Sequence, residues 1–173
     1  DFKKDYIVIL QHPVTTEYNT SEKNIIETVK AVSQLKDYQI IWLWPNADAG
    51  SEFISKALRV FREKKNPSNI RWQKNYTPED YLKLIYNAKC VVGNSSSSLR
   101  EGAFLGIPAV NIGSRQNNRE HGKNIISVKY DSKKIFNAIK KQIKHGKYKS
   151  DKIYGDGKSA EKIVKILSNV KID

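Results

Sequence analysis

A chain of 173 residues, 39% of them apolar, can bury a core but is too short for two full α/β domains. It contains no run of ~18 apolar residues to span a bilayer, no signal-peptide pattern in Asp1-Phe2-Lys3-Lys4-Asp5 and a single cysteine, so a disulfide framework is excluded and a cytoplasmic, membrane-free setting is expected. The formal net charge of +13 fits nucleic acid, an acidic surface or a small anion, but the excess is lysine gathered after about residue 130 beside Ile135, Ile139 and Ile143, the pattern of a solvated helix face.

The predicted elements alternate. Tyr6 to Gln11 is a short apolar run, ended by His12-Pro13, and reads as a strand buried on both faces. Thr20 or Ser21 then caps a helix striped by Ile25, Ile26, Val29 and Val32. Gln39 to Trp44 is a second strand, stopped by Pro45-Asn46, and a helix after Gly50-Ser51 carries Phe53, Ile54, Ala57, Leu58 and Phe61. Asn69 to Trp72 is a weaker strand. Thr77-Pro78-Glu79-Asp80 combines a capping residue, proline at the first helical position and first-turn acids, a strong helix start. Cys90 to Gly93 is the fourth strand, and the serines 95–98 open a short helix ending near Leu105-Gly106. Pro108 to Ile112 and Asn124 to Val128 are the last strands, followed by lysine-rich helices around 131–145 and 158–169. Cys90 reads as a buried strand thiol with no base beside it.

Six short apolar strands separated mostly by helices imply an α/β fold, a doubly wound, parallel, six-stranded Rossmann-like sheet. In the order 3-2-1-4-5-6, ligands bind where the order reverses, at the carboxyl ends of strands 1 and 4. Those ends are His12-Pro13 and Gly93-Asn94-Ser95-Ser96. The serine tract offers hydroxyl and backbone donors suited to phosphate, while Ser98-x-x-Glu101 also matches a capping box, and both readings stay open. Glu101 either closes that box or accepts both hydroxyls of a ribose. Asn46 ends strand 2 on the same edge, and it bonds either a ligand or its own turn. Arg115, Arg119 and His121 follow strand 5 and form either an arginine clamp on phosphate or an ordinary polar loop. No glycine-rich dinucleotide fingerprint, Walker loop, zinc-ligand spacing or Gly-x-Ser-x-Gly elbow appears, so neither cofactor nor metal is expected.

Several of these segments carry a resemblance. His12-Pro13-Val14-Thr15-Thr16, Pro45-Asn46-x-Asp48-Ala49-Gly50-Ser51 and Gly93-Asn94-Ser95-Ser96 resemble hydrolysing UDP-N-acetylglucosamine 2-epimerases. So do Arg100-Glu101-x-Ala103-Phe104, Gly113-x-Arg115-Gln116-x-x-Arg119-Glu120 and Ile153-Tyr154-Gly155-Asp156-Gly157. The resemblance implies that residues 1–173 are the UDP-binding, carboxy-terminal half of a glycosyltransferase-B architecture, the amino-terminal domain being its missing partner. It implies a full-length homo-oligomer acting in sialic-acid pathways on UDP-N-acetylglucosamine, by elimination of UDP and then addition of water. It also implies that Ser95 and Ser96 hold the diphosphate, Glu101 the ribose, and Arg115 lies near the phosphates, while His12, as the catalytic candidate, and Asn46 face the sugar phosphate. Lys56 and Arg59 match basic positions of a regulatory site found in animal members, but Glu52 stands where a lysine belongs, which counts against feedback control.

A glycosyltransferase-B nucleotide domain is the nearest rival; the Gly-x-Arg-Gln-x-x-Arg-Glu stretch favours the epimerase. A nucleic-acid module would need aromatics exposed on a basic face. Trp42 and Trp44 instead share one face of a central strand, which places them in a core, and no nucleic-acid partner is expected.

Overall fold

The computed structural model describes residues 5–170. β1 (Tyr6–Leu10), β2 (Gln39–Leu43), β3 (Ile70–Gln73), β4 (Cys90–Gly93), β5 (Ala109–Ile112) and β6 (Ile125–Val128) pair in parallel in the order β3-β2-β1-β4-β5-β6. Side chains alternate across each strand, so every run divides between two cores. Ile7, Ile9, Trp42, Val92 and Val110 pack on one face with Ile25 of α1 (Ser21–Val32), Ile54 and Leu58 of α2 (Ser51–Lys65), and Ile135 and Ile139 of α5 (Ser132–His145). Val8, Ile41, Val91 and Ala109 pack on the other with Leu84 and Ile85 of α3 (Pro78–Asn87) and with Leu99, just ahead of α4 (Arg100–Leu105). Each fully buried aliphatic side chain contributes ~1.5–3 kcal/mol, which is why continuous apolar runs settle in the centre of a covered sheet. Trp42 stacks on Trp72 of the edge strand with ring centroids 5.4 Å apart, inside this core.

Local chemistry sets the helix starts. Thr77 Oγ1 accepts from the Asp80 N–H at 3.2 Å with Pro78 at the first position, as predicted, and Asp131 Oδ1 accepts from the Lys134 N–H at 2.8 Å to start α5. The lysines of α5 point outward while Ile135, Ala138, Ile139 and Gln142 are buried. The last helix, α6 (Ser159–Leu167), has no buried residue. Among the described residues no helix is long and apolar enough to cross a membrane.

Two expectations change. Residues Thr15–Thr20 coil into a 3-10 segment, so Thr20 Oγ1 donates to the Glu17 carbonyl at 2.9 Å and does not cap α1; Ile26 sits on the exposed flank of that helix. The capping box is not formed either. Ser96–Ser98 make their own 3-10 turn, which Ser95 caps, so Leu99 takes the cap position of α4 and the buried Ser98 Oγ is left without a partner.

Between β4 and the serines, Gly93 holds φ at +137°. A Cβ there would lie 1.9 Å from the Leu10 carbonyl oxygen, so only glycine lets the ends of β1 and β4 approach this closely.

Candidate functional site

At the reversal of strand order, the fully buried Asn94 ties three strand ends together. Its Oδ1 accepts from the His12 N–H at 2.7 Å and its Nδ2 donates to the His12 carbonyl at 2.8 Å, continuing the β1–β4 pairing through a side chain. Its own carbonyl accepts from Gln116 Nε2 at 2.7 Å and from Arg115 Nη1 at 3.3 Å, which draws in the loop after β5.

His12 is thereby fixed, and its ring is fixed by Asn46. The Asn46 N–H donates to His12 Nδ1 at 3.1 Å. A backbone amide can only donate, so the ring is neutral and its proton sits on Nε2. Burial, and then the nearby Arg115 guanidinium, push the imidazole down to about 4, against an opposing pull from Asp48. His12 is therefore a neutral ring with an N–H donor at Nε2. Arg115 Nη2 lies 3.8 Å from Asp48 Oδ2, and Asn46 Nδ2 also donates to Asp48. Asn46 Oδ1 is buried with no partner, an acceptor left open to a donor from elsewhere. A cavity of about 360 Å³ opens here between Pro13–Glu17, Asp48, Ser114 and Arg115.

The serine tract presents a second set of groups. Ser95 Oγ accepts from the Ser97 N–H at 3.3 Å and lies 2.9 Å from Ser97 Oγ, which in turn lies 2.7 Å from the hydroxyl of Tyr81 on α3. Among the described residues the amides of Ser95 and Ser96 have no backbone or side-chain acceptor. With six residues, α4 carries little macrodipole, so the donors the tract can offer an anion are its hydroxyls and free amides. Glu101 Oε2 is buried without a partner. Its residue lines a cavity of about 760 Å³ between α3, α4 and residues 151–159, with Leu82, Tyr86, Phe104 and Tyr154. That volume does not coincide with the His12 crevice. Its apolar walls suit a flat organic group, whereas the crevice gathers the charged and hydrogen-bonding groups suited to phosphate and sugar.

The structure thus brings His12, Asn46 and Arg115 together in one crevice, and sets Ser95 and Ser96 directly after Asn94, which bonds His12. Arg119 is exposed, and its side chain makes no bond to the cluster; its backbone N–H closes a turn on Gln116. His121 is likewise exposed. The reading from sequence did not single out Asn94, Asp48, Gln116, Ser97 or Tyr81. Position at a strand end was the available signal for Asn94, whereas nothing in a serine run distinguishes Ser97. Cys90 is fully buried and its thiol is pushed up by burial, in keeping with an inert strand residue. Among the described residues no group of three or more His, Cys, Asp or Glu could hold a metal.

Comparison with known proteins places this crevice in context. The profile of the family described as UDP-N-acetylglucosamine 2-epimerase matches residues 1–168. A UDP-N-acetylglucosamine 2-epimerase of Neisseria meningitidis is 34% identical over 171 residues, covering 96% of this chain and 44% of the relative. A UDP-N,N'-diacetylbacillosamine 2-epimerase (hydrolyzing) of Legionella pneumophila is 30% identical, covering 99% of this chain and 45% of the relative. Among solved structures, the UDP-GlcNAc 2-epimerase of Methanocaldococcus jannaschii in complex with UDP-GlcNAc and UDP matches with a TM-score of 0.73 at 22% identity, covering 96% of this chain and 46% of that one. The fold is that of one half of a glycosyltransferase-B architecture, and the chain spans about half the length of the curated relatives it matches. The chain belongs to the UDP-N-acetylglucosamine 2-epimerase family.

Proposed function

We propose that residues 1–173 are the UDP-holding half of a hydrolysing UDP-N-acetylglucosamine 2-epimerase, working with an amino-terminal domain that closes the cleft over the sugar. In this reading the amides of Ser95 and Ser96 and the Ser95 hydroxyl bind the diphosphate, Arg115 neutralises charge that grows on it, and Glu101 accepts the ribose hydroxyls. Neutral His12 donates from Nε2 toward the sugar-phosphate oxygens, and Asn46 Oδ1 accepts from the sugar side. Arg119 reaches the phosphates only if its loop folds inward over the ligand.

The chemistry follows from what such a site stabilises. Removal of the C2 proton and departure of UDP from C1 leave a 2-acetamidoglucal, and water then adds to give N-acetylmannosamine. Charge collects on the leaving diphosphate, where the serines and Arg115 are placed to receive it. No electrons are transferred overall, so no redox cofactor enters. The acid and base that handle the sugar are assigned to the other domain, so this chain alone turns nothing over. The full-length enzyme is proposed to be a homo-oligomer.

One observation carries the reading: Glu101 Oε2 is buried without a partner beside a serine tract that keeps free donors. A buried carboxylate oxygen without a donor is costly, and a vicinal diol supplies what it lacks. The test is a titration of the chain with UDP, followed by NMR or calorimetry, with an oligonucleotide as control. UDP is expected to perturb Ser95, Ser96 and Glu101. Saturation by the oligonucleotide with no response to UDP would overturn the proposal.

A further inference from the structure

The Tyr81 hydroxyl has no part in the scheme above, yet it is bonded into the serine tract. We infer that Tyr81 is a positioning residue for the diphosphate, acting through Ser97 to keep the Ser95 proton directed at the ligand. The inference rests on the nucleotide reading and adds a mechanism to it.

Three hydroxyl oxygens stand in line, Tyr81 to Ser97 at 2.7 Å and Ser97 to Ser95 at 2.9 Å. Each has one proton, so the line can run in two senses. In the first, Ser95 donates to Ser97, Ser97 donates to Tyr81, and the phenol proton must find an acceptor beyond. The negative group that bears on Tyr81 is Glu101. In the second, Tyr81 donates to Ser97 and Ser97 donates to Ser95. Ser95 Oγ, which already accepts from the Ser97 N–H at 3.3 Å, then has both acceptor positions filled and its proton free.

A bound diphosphate selects the second sense. An anion beside Ser95 draws that proton outward. Burial raises the phenol's pKa, so Tyr81 keeps its proton to donate, and hydrogen bonds running one way polarise and strengthen one another.

The test compares two probes, UDP and uridine, titrated by NMR into the 173-residue chain, its Tyr81→Phe and Ser97→Ala variants, and the double variant. Uridine has the ribose and base but no phosphate. Each single variant is expected to weaken UDP about five- to tenfold while leaving uridine unchanged within about twofold. The double variant is expected to be no weaker than either single one, because each breaks the same line. Equal losses for UDP and uridine would mean that Tyr81 merely holds α3 in place and would overturn the inference, as would variants that bind UDP undiminished. Ser97→Ala leaves α3 untouched and carries the test if Tyr81→Phe folds poorly. Failure of the unmodified chain to bind UDP overturns the nucleotide reading itself, a different outcome from intact binding that ignores Tyr81.

Discussion

The backbone N–H of Asn46 points at Nδ1 of His12 across 3.1 Å, and this one bond decides what the histidine can do. A ring that accepts at Nδ1 carries its proton on Nε2, and protonating Nδ1 would break the bond as well as place a cation beside Arg115. In long-range nitrogen–proton NMR spectra the ring is expected to show the Nε2–H form and to titrate near 4.

The same arrangement shapes acid stability. The folded-state value of His12 is depressed, so between about 6.5 and about 4 the unfolded chain binds a proton that the native chain refuses. Stability from this group is present above pH ~6.5 and declines as pH falls toward 4. Urea midpoints measured through that window should drop for the native sequence and drop less for His12→Gln.

Gly93→Ala should unfold the chain or destabilise it by at least ~3 kcal/mol in urea titrations. The added carbon would sit 1.9 Å from a backbone oxygen, and no rotamer relieves a backbone clash.

Asn94→Ala removes two bonds to the His12 backbone and leaves a buried N–H and carbonyl unpaired, at a cost of about 2–4 kcal/mol by chemical denaturation. Because the same side chain holds His12 in place, UDP affinity should fall with it.

Glu101→Gln separates capping from ligand binding. With no capping box in the structure and Oε2 unpartnered, the thermal midpoint should hardly move, whereas UDP affinity should fall about tenfold. Unchanged affinity would remove Glu101 from the ribose.

The strands were legible because both faces of each central one are buried. Continuous runs such as Ile7-Val8-Ile9 and Cys90-Val91-Val92 have no other stable setting, and their parallel order follows from the intervening helices. Thr77-Pro78 was legible because capping is local chemistry. The serine tract was only half legible: a turn closing on Ser95 competes with a helix capped by Ser98, and the choice depends on where Gly93 delivers the chain. Asn94 and Tyr81 were given no role of their own since their partners, His12 and Ser97, lie 82 and 16 residues away. No local pattern encodes such a meeting. Arg119 is the converse case, a residue near the crevice in sequence whose side chain the turn at Gln116 leaves in solvent.

The separation between His12 and Asn94 has a kinetic meaning. β1, β2 and β3 are complete by Gln73 and can associate early, on the ribosome or in refolding. The crevice must wait for a contact that closes a loop of 82 residues, an entropic barrier that local pairings do not face. Half of the sheet can therefore exist before the crevice does, and any ligand of that crevice that speeds or traps folding must act on the later half of the process.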